Sequence, residues 1–232
     1  MTGQIANIGA VPRLDEWFAQ VWEFVQPALP PAPATVVEIG CGTAGGLVPR
    51  LRAAGYDATG VDPRAPAEPG YQLCEFERYD AGQAGAIIAC TALHHVADLD
   101  RALDHVAASL RPGASLIVVE MAWERYDERT ARWCFGQLAS ADEDTWIRAQ
   151  RDEFLESGQC WPDYLGAWAG ELHRGEAISA GLDARFDRVT RQDAPYFFGD
   201  LAQLSAAREQ AAIDDGQLNA LAIRYLATAR GS

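Results

Sequence analysis

The sequence predicts an α/β fold: a doubly wound, mostly parallel sheet of seven strands with an inserted helical lid. Three observations point there. Short apolar runs alternate with amphipathic segments through the first half of the chain, as in strand–helix–strand units. The first run, Thr35–Ile39, leads into a glycine turn, Gly40-Cys41-Gly42-Thr43-Ala44-Gly45-Gly46, that opens a helix. The alternation stops after Glu120 and resumes beyond residue 172, and the intervening stretch holds five of the seven tryptophans. A segment that long exceeds an ordinary connecting loop.

Each element has its own signal. Leu14, Trp17, Phe18, Val21, Trp22 and Val25 recur at helical spacing. Pro27, Pro30, Pro31 and Pro33 end that helix. Thr35–Ile39 is a β-branched strand, Gly45–Ala54 the next helix and Ala58–Val61 the second strand. Tyr71–Glu77 is a weaker third strand and Ala86–Thr91 a fourth. Asp98 is placed to cap a helix with the stripe Leu99, Ala102, Leu103, Val106 and Leu110. Pro112-Gly113 predicts a turn and Ala114–Glu120 the fifth strand. Within the lid, Trp161, Tyr164, Leu165, Trp168 and Leu172 repeat at helical spacing. Gly175–Leu182 and Leu201–Ile213 predict helices, and Arg185–Thr190 and Asn219–Ala227 the last strands. The expected organisation is an N-terminal helical cap (1–34), an α/β core (35–121), a helical lid (122–172) and a C-terminal completion of the core (173–232).

Composition narrows the function. The chain has 232 residues, 49% hydrophobic and 22% charged, enough for one large domain with an insertion. Its formal net charge is −14, and no basic stripe is present to displace counterions from nucleic acid. All 19 basic residues are arginine, which excludes a lysine Schiff base and a P-loop lysine. Cys41, Cys74, Cys90, Cys134 and Cys160 form no CxxC pair and read as reduced thiols. The four histidines lack zinc-site spacing, so no metal is expected. No apolar run has membrane-spanning length and the N-terminus carries no secretory signal. The expectation is a cytoplasmic enzyme with a small-molecule partner, as monomer or homodimer.

The glycine turn suits two cofactors. Gly40, Gly42 and Gly45 satisfy GxGxxG, the dinucleotide fingerprint. Asp62, in Gly60-Val61-Asp62-Pro63, stands where an acid holds ribose hydroxyls in either case. Glu38 separates the two. A carboxylate repels a pyrophosphate and attracts the ammonium and sulfonium of S-adenosylmethionine.

Glu38-Ile39-Gly40-Cys41-Gly42-Thr43 resembles motif I of the class I S-adenosylmethionine-dependent methyltransferases. The resemblance continues through Gly60-Val61-Asp62, Thr91-Ala92-Leu93-His94-His95-Val96 and Leu110-Arg111-Pro112-Gly113-Ala114-Ser115-Leu116. It covers roughly residues 34–121 and looks like the small-molecule, type 11-like branch. It implies a Rossmann-like sheet with the last strand antiparallel. It also implies a cofactor site: Gly40, Cys41 and Gly42 against the cofactor, Glu38 orienting its methionine end, Asp62 on the ribose, and Pro63 and Asp80 (or Glu77) near adenine. Thr91 and Ala92 would lie beside the methionine amino group. The third motif-I glycine falls at Ala44, so Gly45 is expected to tolerate alanine better than Gly40 or Gly42.

Methyl transfer needs alignment, exclusion of water and sometimes a proton acceptor. His94, His95, Glu120 and His173 are the candidates at the sheet's carboxyl edge. Their competing readings are a structural histidine pair, a loop histidine and a solvated strand-end acid. Trp123, Tyr164, Trp168 and Phe197 are candidate walls for the acceptor, or simply core. The expected activity is methylation of a small, partly apolar or aromatic acceptor, oxygen before nitrogen, yielding S-adenosylhomocysteine. The alternatives are a non-methylating reaction on the same cofactor and, further off, a nicotinamide-dependent dehydrogenase.

Overall fold

The computed structural model describes residues 14–140 and 144–231. Residues 1–13 of the expected cap and 141–143 of the expected lid lie outside the described residues.

The strands are β1 (Thr35–Ile39), β2 (Asp57–Val61), β3 (Tyr71–Gln72), β4 (Ala84–Cys90), β5 (Leu110–Met121), β6 (Phe186–Ala194) and β7 (Ala222–Ala229). They form one sheet in the order β3-β2-β1-β4-β5-β7-β6. Six run parallel and β7 runs antiparallel, the Rossmann-like methyltransferase arrangement. The order reverses between β1 and β4, and ligands of such sheets bind outside the carboxyl ends at that point. β4 is buried along its whole length, which explains its unbroken run of small and apolar residues.

The helices are α1 (Leu14–Val25), α2 (Val48–Ala53), α3 (Leu99–Ser109), α4 (Glu128–Gln137), α5 (Trp146–Ser157), α6 (Trp161–Gly166), α7 (Gly175–Arg185) and α8 (Ala206–Asp214). Asp98 caps α3 through the Arg101 N–H, as its position predicts. β3 stops at Gln72 instead of running to Glu77, with a 3-10 turn at Phe76–Arg78, and β6 runs on to Ala194. Three further differences have local reasons. α2 starts at Val48 rather than Gly45, because Gly45 (φ 83°) and Gly46 (φ 58°) are left-handed. β5 begins at Leu110, with Ala84 facing Leu110 and Ala86 facing Ser115, so Pro112-Gly113 forms an outward bulge in the strand. α8 begins at Ala206, where the Ser205 side chain accepts the Arg208 N–H.

The chain forms two compact units. The α/β unit comprises Val21–Met121, Leu172–Gln192 and Ile223–Ser232. The helical unit comprises the described residues of Met1–Gln20 with Ala122–Glu171 and Asp193–Ala222. This corrects two expected boundaries. Asp193–Ala222 packs with the helical unit rather than completing the core, and the N-terminal cap divides after Gln20.

The helical unit has its own aromatic core. The Tyr126 ring lies 5.1 Å from Trp161 and 5.3 Å from Phe197. The Trp161 indole donates to the Tyr126 carbonyl. Glu209 is fully buried and accepts the backbone N–H groups of Tyr196, Phe197 and Phe198.

Candidate functional site

β1 ends level with its neighbours, since Ile39 pairs with Val61 on one side and Ala89 on the other. The glycine turn follows. The Gly40 N–H donates to the Val61 carbonyl at 2.9 Å, and its φ is 84°. A Cβ at Gly40 would overlap the Ala92 Cβ, so only glycine lets the turn approach the residues after β4. Gly42 is also left-handed, but a Cβ there would meet nothing within 4 Å. The turn is therefore open on that side. Beside it the Gly42 N–H donates to Asp62 Oδ2 at 3.0 Å and the Arg64 N–H to Asp62 Oδ1 at 2.7 Å. Cys41 is buried beneath, its thiol pushed up to about 12 by burial and by the carboxyls of Glu38 and Asp62. That makes it a packing residue and no nucleophile.

Glu38 faces the other way. Its carboxyl accepts the Leu47 N–H at 2.8 Å and the Val48 N–H at 3.1 Å, closing the turn onto the start of α2. Burial, with Asp62 adding to it, raises its pKa to about 8. This corrects the electrostatic argument from sequence. With its pKa raised to about 8, Glu38 is mainly protonated at neutral pH and holds the turn.

The expectation for Gly45 is corrected too. Its φ is 83°, and a Cβ would overlap the Tyr71 hydroxyl, which donates to the Gly45 carbonyl at 3.3 Å. Tyr71 itself is a site residue that sequence reasoning missed. Its ring also abuts Gly60, and the Arg52 guanidinium lies over it. No motif marks it, because its role is to pack against backbone.

The second half of the edge follows β4. Thr91 has φ 47°, the one non-glycine residue with positive φ among the described residues. A β-branched residue pays roughly 1–2 kcal/mol for that conformation. Such strain persists where surroundings impose it. His94 and Glu120 were candidate catalytic groups, and the structure corrects both. Glu120 is 1% exposed, and its carboxylate accepts the N–H groups of Ala92, Leu93, His94 and Met121. It also pairs with His94 Nδ1. Burial alone would raise its pKa, but His94 and the backbone donors hold it below the ordinary carboxylate range. His94 is 5% exposed and committed to that pair.

His95 lies against His94, with ring centroids 4.0 Å apart, and has an exposed side. Packing of the chain around it and the neighbouring His94 lower its pKa to about 4. It is neutral at physiological pH and a weak base. His173 donates through Nε2 to the Val96 carbonyl at 2.8 Å. Pro63 is exposed next to Asp62. Asp80 is exposed, and its Oδ1 accepts the Gly82 N–H in a local turn.

The expected acceptor walls all belong to the helical unit. Phe197 is fully buried against Tyr126 and Trp146, which corrects its reading as an open wall. Tyr164 is 7% exposed, its ring against Trp161 and Phe154 and its hydroxyl on Glu153, so it too is core. Trp123 is buried and Trp168 half-buried, with ring centroids 6.2 Å apart.

The glycine turn, the ribose-type acid and the strained strand end thus meet at one sheet edge. A family model described as a methyltransferase domain matches residues 13–174. The chain belongs to the S-adenosylmethionine-dependent class I methyltransferases. Solved structures share its fold. The geranyl diphosphate C-methyltransferase of Streptomyces coelicolor, in complex with Mg2+, a substrate analogue and S-adenosylhomocysteine, is 18% identical with a TM-score of 0.52. The match covers 91% of this chain and 75% of that one. The N-methyltransferase NodS of Bradyrhizobium japonicum is 14% identical at a TM-score of 0.55, covering 98% and 95%. The [4+2]-cyclase SpnF is 16% identical at 0.52, covering 94% and 82%. No curated protein matches the sequence. Among the described residues, no helix is long and apolar enough to cross a membrane.

Proposed function

We propose that the protein transfers a methyl group from S-adenosylmethionine to a small, partly apolar or aromatic acceptor, with oxygen ahead of nitrogen as the accepting atom. Asp62 carries this reading. Each of its oxygens accepts one backbone N–H beside the open turn and keeps lone-pair capacity for adjacent ribose hydroxyls. The backbone of Gly40, Cys41 and Gly42 would hold the methionine end, with Thr91 and Ala92 alongside. Pro63 and Asp80 would flank adenine.

When bound, the cofactor supplies a methyl group already activated by its positive sulfur. The protein's own contribution is then alignment and exclusion of water. His95, with a pKa of about 4, is matched to holding an acceptor hydroxyl by a hydrogen bond rather than to strong general-base work. The net charge of −14 opposes nucleic acid.

The test is incubation with S-adenosylmethionine and a panel of phenols, catechols and aromatic amines, read by mass spectrometry. The expected result is equal amounts of methylated product and S-adenosylhomocysteine. SpnF shows that this fold also hosts a cyclase. A transformed substrate without S-adenosylhomocysteine would favour that second reading.

A further inference from the structure

The turn after β4 is gripped from two sides. Three consecutive N–H groups, of Ala92, Leu93 and His94, converge on Glu120 Oε2 at 3.2, 2.7 and 3.3 Å. Converging backbone N–H groups make an anion-binding nest, and here the anion is a side chain of the neighbouring strand. The other oxygen accepts the Met121 N–H at 2.8 Å and pairs with His94 Nδ1. Two of the turn's carbonyls are taken by a different residue. The His94 carbonyl accepts the His173 N–H at 3.0 Å, and the Val96 carbonyl accepts His173 Nε2–H at 2.8 Å. Upstream stands strained Thr91, and Ala92 abuts Gly40. The shape of this turn is therefore passed directly to the glycine turn.

We propose that Glu120 and His173 are positioning residues for the cofactor: Glu120 binds the donors and His173 the acceptors of the Thr91–Val96 turn, and together they keep Thr91 and Ala92 in the shape that receives the methionine end. This rests on the reading above that the edge binds S-adenosylmethionine. It assigns both residues a role through backbone rather than through contact with reacting atoms. It also accounts for the strain at Thr91, since a fixed anion in the nest imposes a conformation that threonine alone avoids.

The experiment is calorimetric titration with S-adenosylhomocysteine on Glu120→Gln, His173→Ala, His173→Gln, Thr91→Gly and the Glu120→Gln/Thr91→Gly pair. Val106→Ala, in buried α3, controls for general loss of stability. Glu120→Gln is expected to weaken binding about 10-fold, the scale of a charge-assisted contact. His173→Ala is expected to weaken it about 3-fold and His173→Gln less, because an amide N–H also reaches a carbonyl. In the Thr91→Gly background, Glu120→Gln should cost about 3-fold or less, since glycine adopts the conformation unaided. Val106→Ala should lower Tm and leave affinity within about 2-fold. The proposal is overturned if Glu120→Gln and His173→Ala bind like wild type. It is also overturned if they lose affinity only as Val106→Ala does, or if the paired losses multiply. Should Glu120→Gln not fold, the two His173 variants decide. Wild type that binds no S-adenosylhomocysteine removes the cofactor reading itself, and this proposal with it.

Discussion

Two strand ends of the α/β unit each carry a glutamate that is 1% exposed and bonded to backbone N–H groups. Glu38, in β1, takes those of Leu47 and Val48, while Glu120, in β5, takes those of Ala92, Leu93, His94 and Met121. Their protonation differs. Burial, with the nearby Asp62 adding to it, raises the Glu38 pKa to about 8. Glu120 pairs with His94, which with the backbone donors holds it below the ordinary range despite burial. The His94 imidazole and the larger set of backbone donors thus set the two buried strand-end acids apart. The consequence is a site with a nearly neutral clamp under the glycine turn and a charged one under the turn after β4.

The contrast is broken most severely where the two ends touch. Gly40→Ala adds both a left-handed β-carbon and an overlap with Ala92, and should reduce S-adenosylhomocysteine affinity by about 100-fold or more in calorimetry. Gly45→Ala should follow at about 30-fold, ahead of Gly42→Ala, because only the former meets the Tyr71 hydroxyl. Asp62→Ala removes the proposed ribose acceptor and the partner of the Gly42 N–H, and about a 10-fold loss is expected. The smallest effect sharpens the comparison by pH. Native Glu38 keeps its proton up to about 8, whereas an unfolded glutamate loses it near 4.5. Its contribution to stability is complete below about 4.5 and is lost as pH rises through about 8. Wild-type Tm should therefore carry a downward component across that window, and Glu38→Gln should flatten it.

The α/β half was readable because its signals are local. β-branched runs, the cap at Asp98 and the glycine turn all depend on neighbouring residues. The proposed positioning roles of Glu120 and His173 were not readable, since most of their partners are backbone groups that any residue carries, far away in sequence. Tyr71 escaped notice for the same reason. Gly45 was misjudged because the overlap comes from β3. In the helical unit, the spacing of Trp161 and Tyr164 did mark a buried face. It could not tell core from pocket, nor that Asp193–Ala222 packs with that unit.

The central claim is that the edge built on Gly40, Gly42 and Asp62 binds S-adenosylmethionine. Calorimetric titration of the wild-type chain with S-adenosylhomocysteine, beside NADH, tests it most directly. Saturable one-to-one binding of S-adenosylhomocysteine and none of NADH is the predicted result. Binding of NADH without S-adenosylhomocysteine would contradict the account.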